Sequence, residues 1–206
     1  MAAGSRQLSK SAGLQVQRPY DTFNAGQVLP SEGLDMSNAG KSGAKKLSEP
    51  YINQLPQALL NAFEANDRIN HYLIENLPAQ AWSAKPGDGK GRTIAAIVAH
   101  MHNVRVMWLK AAKVNAIPAQ LDRATVTPAQ AVKGMTSSRE ALHALIETSL
   151  KGDGRVRNFR PDVAGFIGYL IAHDAHHRGQ VTMLARQLGH PLPQKAMFGM
   201  WEWGRR

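Results

Sequence analysis

Apolar residues recur every three or four positions through four stretches of the chain, and the breaks between them contain glycine and proline. The first stretch runs from about Leu55 to Asn76, with Leu59, Leu60, Phe63, Leu73 and Leu77 as its apolar positions, and Leu77-Pro78 ends it. A loop follows over residues 83–92, marked by Pro86, Gly87, Gly89 and Gly91. The second stretch begins at Thr93, a residue suited to an N-cap, and continues to about Ala116 ahead of Pro118. Thr127-Pro128-Ala129-Gln130 opens the third with a capping box and a proline in the first turn. Gly152-Asp153-Gly154 breaks it after Lys151. The fourth starts at Asp162, behind Pro161, and runs to Leu188, where Gly189 supplies the stop.

No segment alternates as a strand would. Four helices of about 20 residues joined by loops of roughly 8–20 predict an all-α fold, most simply a four-helix bundle over residues 51–206. The third helix has the weakest apolar stripe, made by Val132, Leu142, Leu145, Ile146 and Leu150. Residues 1–50 are rich in Gly, Ser, Ala, Asn and Gln without periodicity, and read as a flexible or irregular N-terminal arm in which Met36 offers an internal start. The tail from Met197 to Trp203 is too apolar for a free end and is expected to pack back on the bundle.

The fourth helix carries the densest chemistry, His173-Asp174-Ala175-His176-His177-Arg178-Gly179-Gln180. Residues four apart on a helix lie one above the other. His173 and His177 fall inside the stripe of Phe166, Leu170, Val181, Leu184 and Leu188, with Gln180 one turn beyond His177. His176 lies about 95° from the centre of that stripe, and Asp174 reads as surface. Two inward imidazoles need partners, since an unpaired buried polar group costs about 1–3 kcal/mol. They can be satisfied by other side chains or by sharing a metal ion, with a third ligand from a facing helix.

The second helix offers His100 and His102. His100 sits about 80° from the stripe of Ile94, Ile97, Met101, Val104 and Trp108, and His102 about 120°, which favours His100. Asn66 and Asn70 lie toward the core side of the first helix, as interhelical hydrogen-bonding groups or as support for a ligand from behind. His71, His143, His176 and His190 read as surface or supporting residues. His173-Asp174-Ala-His-His177 also resembles the metalloprotease pattern H-E-x-x-H, but Asp is one methylene shorter than Glu and no downstream ligand pattern follows.

Composition narrows the function classes. At 206 residues and 43% apolar, one ordinary domain with a real core is expected. Without cysteine there is no disulfide framework, thiolate metal site or cysteine nucleophile. No apolar run approaches the roughly 18–20 residues that span a bilayer, and residues 1–10 lack a secretory hydrophobic segment, so a cytoplasmic protein without a membrane partner is expected. The net charge of +10 divides into +2 over residues 1–50 and +8 over the rest, scattered over positions such as Arg68, Lys110, Lys113, Arg139 and Arg186. With no dense basic block, nucleic-acid binding through the basic surface is a minor alternative.

The segments "TIAAIVAHMHNVRVMWLK" and "HDAHHRGQVTMLARQLG", with the terminal "MWEWG", resemble the DinB/YfiT-like family of metalloenzymes over about residues 55–203. The resemblance implies a divalent metal held at the open end of a four-helix bundle, and nitrogen ligands suit Zn, Ni or Fe. Carried over to this chain, the metal ligands are His100, His173 and His177, with Asn70 matching the family's helix-one asparagine and Trp108 the aromatic that follows the first ligand. Asn70, Gln180, His102 and His176 are the candidate supporting residues. No catalytic base is identified. Three histidines with an open coordination position are the arrangement of a catalytic metal site, and the resemblance implies a hydrolase, or a transferase that uses a low-molecular-weight thiol, acting on a small molecule. A homodimer is compatible with such a bundle. The alternative reading is a non-catalytic bundle stabilised by its metal.

Overall fold

Six helices make up the regular structure of the computed structural model, which describes residues 49–87 and 89–205. They are α1 (Glu49–Glu75), α2 (Ala79–Trp82), α3 (Ile94–Ala111), α4 (Pro128–Lys151), α5 (Val163–Gln187) and α6 (Gln194–Gly199). Four are long, and no strand occurs among the described residues, so the all-α bundle stands. Residues 1–48 of the expected arm, Met36 among them, lie outside the described residues.

The helix ends follow local chemistry. Thr127 accepts from the Gln130 backbone N–H, while Gln130 Oε1 accepts from the Thr127 N–H, completing the expected capping box. Thr93 accepts from Ala96 N at the start of α3, and Asp162 from Gly165 N at the start of α5. Gly189 closes α5 at φ 78° as His190 N donates to Ala185 O.

Two boundaries differ from expectation. Helix α3 stops at Ala111, five residues short of the expected Ala116, because Lys113 adopts φ 58° and Val114 N returns to Leu109 O. That left-handed cap uses a lysine where glycine is usual, so the sequence offered no stop signal there. Helix α1 begins at Glu49 and runs through Pro56. Ile52 and Leu55 in its first turns are exposed, so the apolar stripe read from the sequence marks where packing starts, not where the helix does.

Around the bundle, α1 and α3 each pack against α4 and α5, which places α1 diagonally opposite α3. The core falls into two apolar halves. One gathers Leu73, Trp82, Ile94, Met101, Met135 and Val181; the other gathers Leu60, Phe63, Leu109, Leu142, Ile146 and Phe166. Between them in sequence along α1, α3 and α5 lies a polar layer of Asn66, Asp67, Asn70, His102, Arg105, Asp174 and His177, all buried. The C-terminal tail returns to the first half through Met197 and Met200, with Gly199 against the Tyr72 ring. Its aromatic residues do not all follow: Trp201 is 80% exposed and Phe198 64%. No helix among the described residues is long and apolar enough to cross a membrane.

Candidate metal centre

One turn of α5 separates His173 from His177, and the wheel position read from the sequence brings their rings together. The two Nε2 atoms lie 3.2 Å apart. His100, on α3, closes the group: its ring centre is 5.4 Å from that of His173 and 4.8 Å from that of His177. One nitrogen from each ring lies within 4.8 Å of the others. His177 is buried, and His100 and His173 are half-buried.

The hydrogen bonds around the pair decide which nitrogens carry protons. Gln180 Nε2 donates to His176 Nε2 at 3.0 Å, which directs Gln180 Oε1 at His177 Nδ1, 2.8 Å away. An amide oxygen only accepts, so His177 holds its proton on Nδ1 and offers Nε2 as a lone pair. His173 Nδ1 faces the Asp174 carboxylate at 3.7 Å, which favours the same tautomer there. Two lone pairs then oppose each other at 3.2 Å, an unfavourable arrangement that a shared cation resolves. Three tetrahedral nitrogens at Zn–N distances of 2.0–2.1 Å stand about 3.3 Å apart. The His173–His177 spacing already matches, and a small ring movement brings in His100. The donor set fits a divalent ion.

Electrostatics keep His100 and His177 neutral and ready to ligate. Burial lowers the His100 pKa to about 4, helped by the neighbouring His177, Arg92, His173 and Arg123. Burial also lowers His177, with His173 and His176 adding to the effect against the hydrogen bond to Gln180.

The polar layer anchors the α5 pair from below. Asp174 Oδ2 accepts from Asn66 Nδ2, Asn70 Nδ2 and Arg105 Nη2, each at 2.8 Å. Arg105 reaches across the bundle and also donates to Asp67 Oδ1. Arg178 donates to the side-chain oxygens of Asn66 and Asn70 at 2.7 and 2.6 Å. Burial alone pushes the Asp174 carboxyl upward, but the Arg105 guanidinium and the surrounding donors hold it well below the usual carboxylate range. Asp67 is balanced the same way, with Arg105 and His71 outweighing its burial. Asp174 Oδ1 makes no hydrogen bond and is the atom that faces His173.

The structure thus brings His100, His173 and His177 together, with Gln180 on His177 and His176 on Gln180. Asn70 reaches the centre only through Asp174. His102 is buried but turned elsewhere, its Nε2 bonded to Ala119 O at 2.9 Å. It is fully buried despite its wider wheel angle, because the buried face of α3 extends over Val98, His102 and Val106. Asp174 corrects the surface reading: it is 1% exposed. It stands four residues after Leu170 and seven before Val181, both core positions, and partners on α1 and α3 satisfy its charge.

The sequence reading passed over Arg105, Asp67 and Arg178. For Arg105 a signal existed, since it is four residues from both Met101 and Leu109, which are fully buried. Two cavities lie beside the centre. One of about 440 Å³ reaches Gln180 and Arg92, and one of about 730 Å³ reaches Arg92 and Arg123. A larger one, about 850 Å³, lies away from the histidines between α4 and residues 112–118.

Comparison with known proteins adds three findings. The family model described as the DinB family matches residues 36–203, beginning earlier than the resemblance over about residues 55–203. A solved crystal structure of a candidate member of the DinB family from Exiguobacterium sibiricum 255-15 is 21% identical, with 68% of this chain and 96% of that chain covered and a TM-score of 0.46. Among curated proteins no match is found.

Proposed function

The chain belongs to the DinB family, and on that premise we propose that it is a metal-dependent enzyme whose divalent ion is held by His100, His173 and His177. One observation carries the reading: imidazoles from two helices bring one nitrogen each within 4.8 Å of the others, and Gln180 turns the Nε2 lone pair of His177 toward His173. Nitrogen ligands suit Zn²⁺, Ni²⁺ or Fe²⁺. Three protein ligands leave a position for substrate, which is the arrangement of a catalytic rather than a purely structural site.

Such an ion supplies Lewis acidity that activates water for hydrolysis or a thiolate for transfer. The chain contains no cysteine, so in the second case the thiol must come from a low-molecular-weight substrate. The protein's own groups orient the centre. Gln180 fixes His177, Asp174 faces His173, and the Asn66–Asn70–Arg105–Arg178 layer holds Asp174 in place.

The test is cobalt(II) loading of the full chain followed by titration with azide and with 2-mercaptoethanol. Visible bands that shift saturably with azide show an open position, and a new thiolate band points to the transferase branch. Bands that respond to neither ligand would reduce the centre to a structural role.

A further inference from the structure

The side of the histidine cluster that opens to solvent is lined with positive charge. Arg123 Nη2 stands 3.5 Å from His100 Nδ1. Arg92 lines both cavities that approach the centre: the one that reaches Gln180, and the one that it shares with Arg123 and Lys85. Ala96 and Ile97, which also line them, lie one turn before His100 on α3. Neither cavity is lined by the three histidines themselves, but each reaches residues within one turn of His100 or His177. No carboxylate lines either cavity among the described residues.

The loop that carries Arg123 is tied down through its backbone on both sides of that residue. Asn103, three residues after His100, donates from Nδ2 to Leu121 O and accepts Leu121 N, at 2.9 and 2.8 Å. Asp122 Oδ1 accepts from Ala124 N at 2.7 Å, so the one acidic neighbour is turned to its own backbone. Arg92 directly precedes the N-cap Thr93, where the first N–H groups of α3 add partial positive charge. Two arginines inside the bundle are paired with acids, Arg105 with Asp67 and Asp174 and Arg139 with Glu64. Arg92 and Arg123 have no carboxylate partner among the described residues. Two guanidiniums beside a site built for a dication accumulate like charge, and an anion in the cavity relieves it.

We infer that the substrate of this centre is a small anion whose carboxylate or phosphate group is held by Arg92 and Arg123, with its reacting end toward His100, His173 and His177. Guanidiniums suit this task because their planar donor fork matches both groups. The inference rests on the metal-dependent reading for what the reacting end meets, but the anion contact itself does not require the metal.

The experiment uses that separation. The metal-free full chain is titrated calorimetrically at low ionic strength with inorganic phosphate and, in parallel, with succinate. Saturable one-site binding of at least one probe is expected, the tighter probe identifying the anionic group. Arg92→Gln/Arg123→Gln is expected to weaken it at least tenfold and each single variant at least threefold. Arg157→Gln/Arg160→Gln, which removes the same charge from an exposed loop elsewhere, is expected to leave it unchanged. Binding of neither probe, or equal binding by wild type and the Arg92/Arg123 variant, overturns the inference. So does an equal loss in the Arg157/Arg160 control. Anion binding by a chain that takes up no metal would refute the metal reading and leave this one standing; metal uptake without anion binding would do the reverse.

Discussion

Replacing Asp174 with asparagine keeps the shape of the side chain and removes its charge. In the native layer that carboxylate accepts three donors on Oδ2 and neutralises Arg105, which is fully buried and, among the described residues, reaches no other acid but Asp67. After substitution Arg105 keeps one carboxylate, and Arg178, half-buried nearby against Asn66 and Asn70, loses the Asp174 charge that stabilises it. Breaking a buried ion pair by removing one partner costs about 3–5 kcal/mol. In a domain of this size each 1 kcal/mol shifts Tm by roughly 2–4 °C, so a fall of about 6–20 °C is expected. Thermal unfolding of the metal-free chain, followed by far-UV circular dichroism, reads it directly. A fall of under about 2 °C would refute the reasoning, because it would mean the layer is wet enough for water to replace the carboxylate.

The same network sets the acid limb of stability. His100 and His177 have pKa values below the ordinary histidine value, so the unfolded chain takes up protons first, and stability of the metal-free protein should fall as pH drops below about 6.5. Asp67 and Asp174 are held low, so their contribution is full above about pH 5 and is lost as pH falls through their unfolded value of about 3.9 toward their native ones. Denaturant unfolding at a series of pH values would show both windows, and a flat profile from pH 7 to 4 would contradict the assignment. Gln180→Ala frees the His177 tautomer and should weaken metal affinity about 10–100-fold in competition with a chelator, with little change in Tm of the metal-free chain. Gly199→Ala drives a methyl group into the Tyr72 ring and should cost about 1–3 kcal/mol, read as a lower denaturation midpoint.

What the sequence disclosed follows the range of the interactions involved. The capping box at Thr127 and the stacking of His173 over His177 are set by residues within one turn of each other, so spacing alone reveals them. The third histidine needed a facing helix, and wheel geometry together with the family resemblance picked His100 over His102. Asn66 and Asn70 were placed toward the core, but the charged members of the polar layer were hidden for the opposite reason. Asp174 and Arg105 are 69 residues apart, and a charged residue reads as solvated until its partner is known. Lys113 hid the end of α3 in the same way, since a left-handed lysine carries no mark in the sequence. Arg92 and Arg123 were equally silent, because their meaning depends on which cavity they line.

The central claim is that three histidines from two helices hold one divalent ion. Metal content of the purified full chain, measured by mass spectrometry after dialysis against metal-containing and then metal-free buffer, tests it most directly. The account predicts about one Zn, Ni or Fe per wild-type chain and less than about a tenth of that in His173→Ala/His177→Ala, with the variant still helical. A wild-type chain that retains no metal, or a double variant that retains as much, would contradict it.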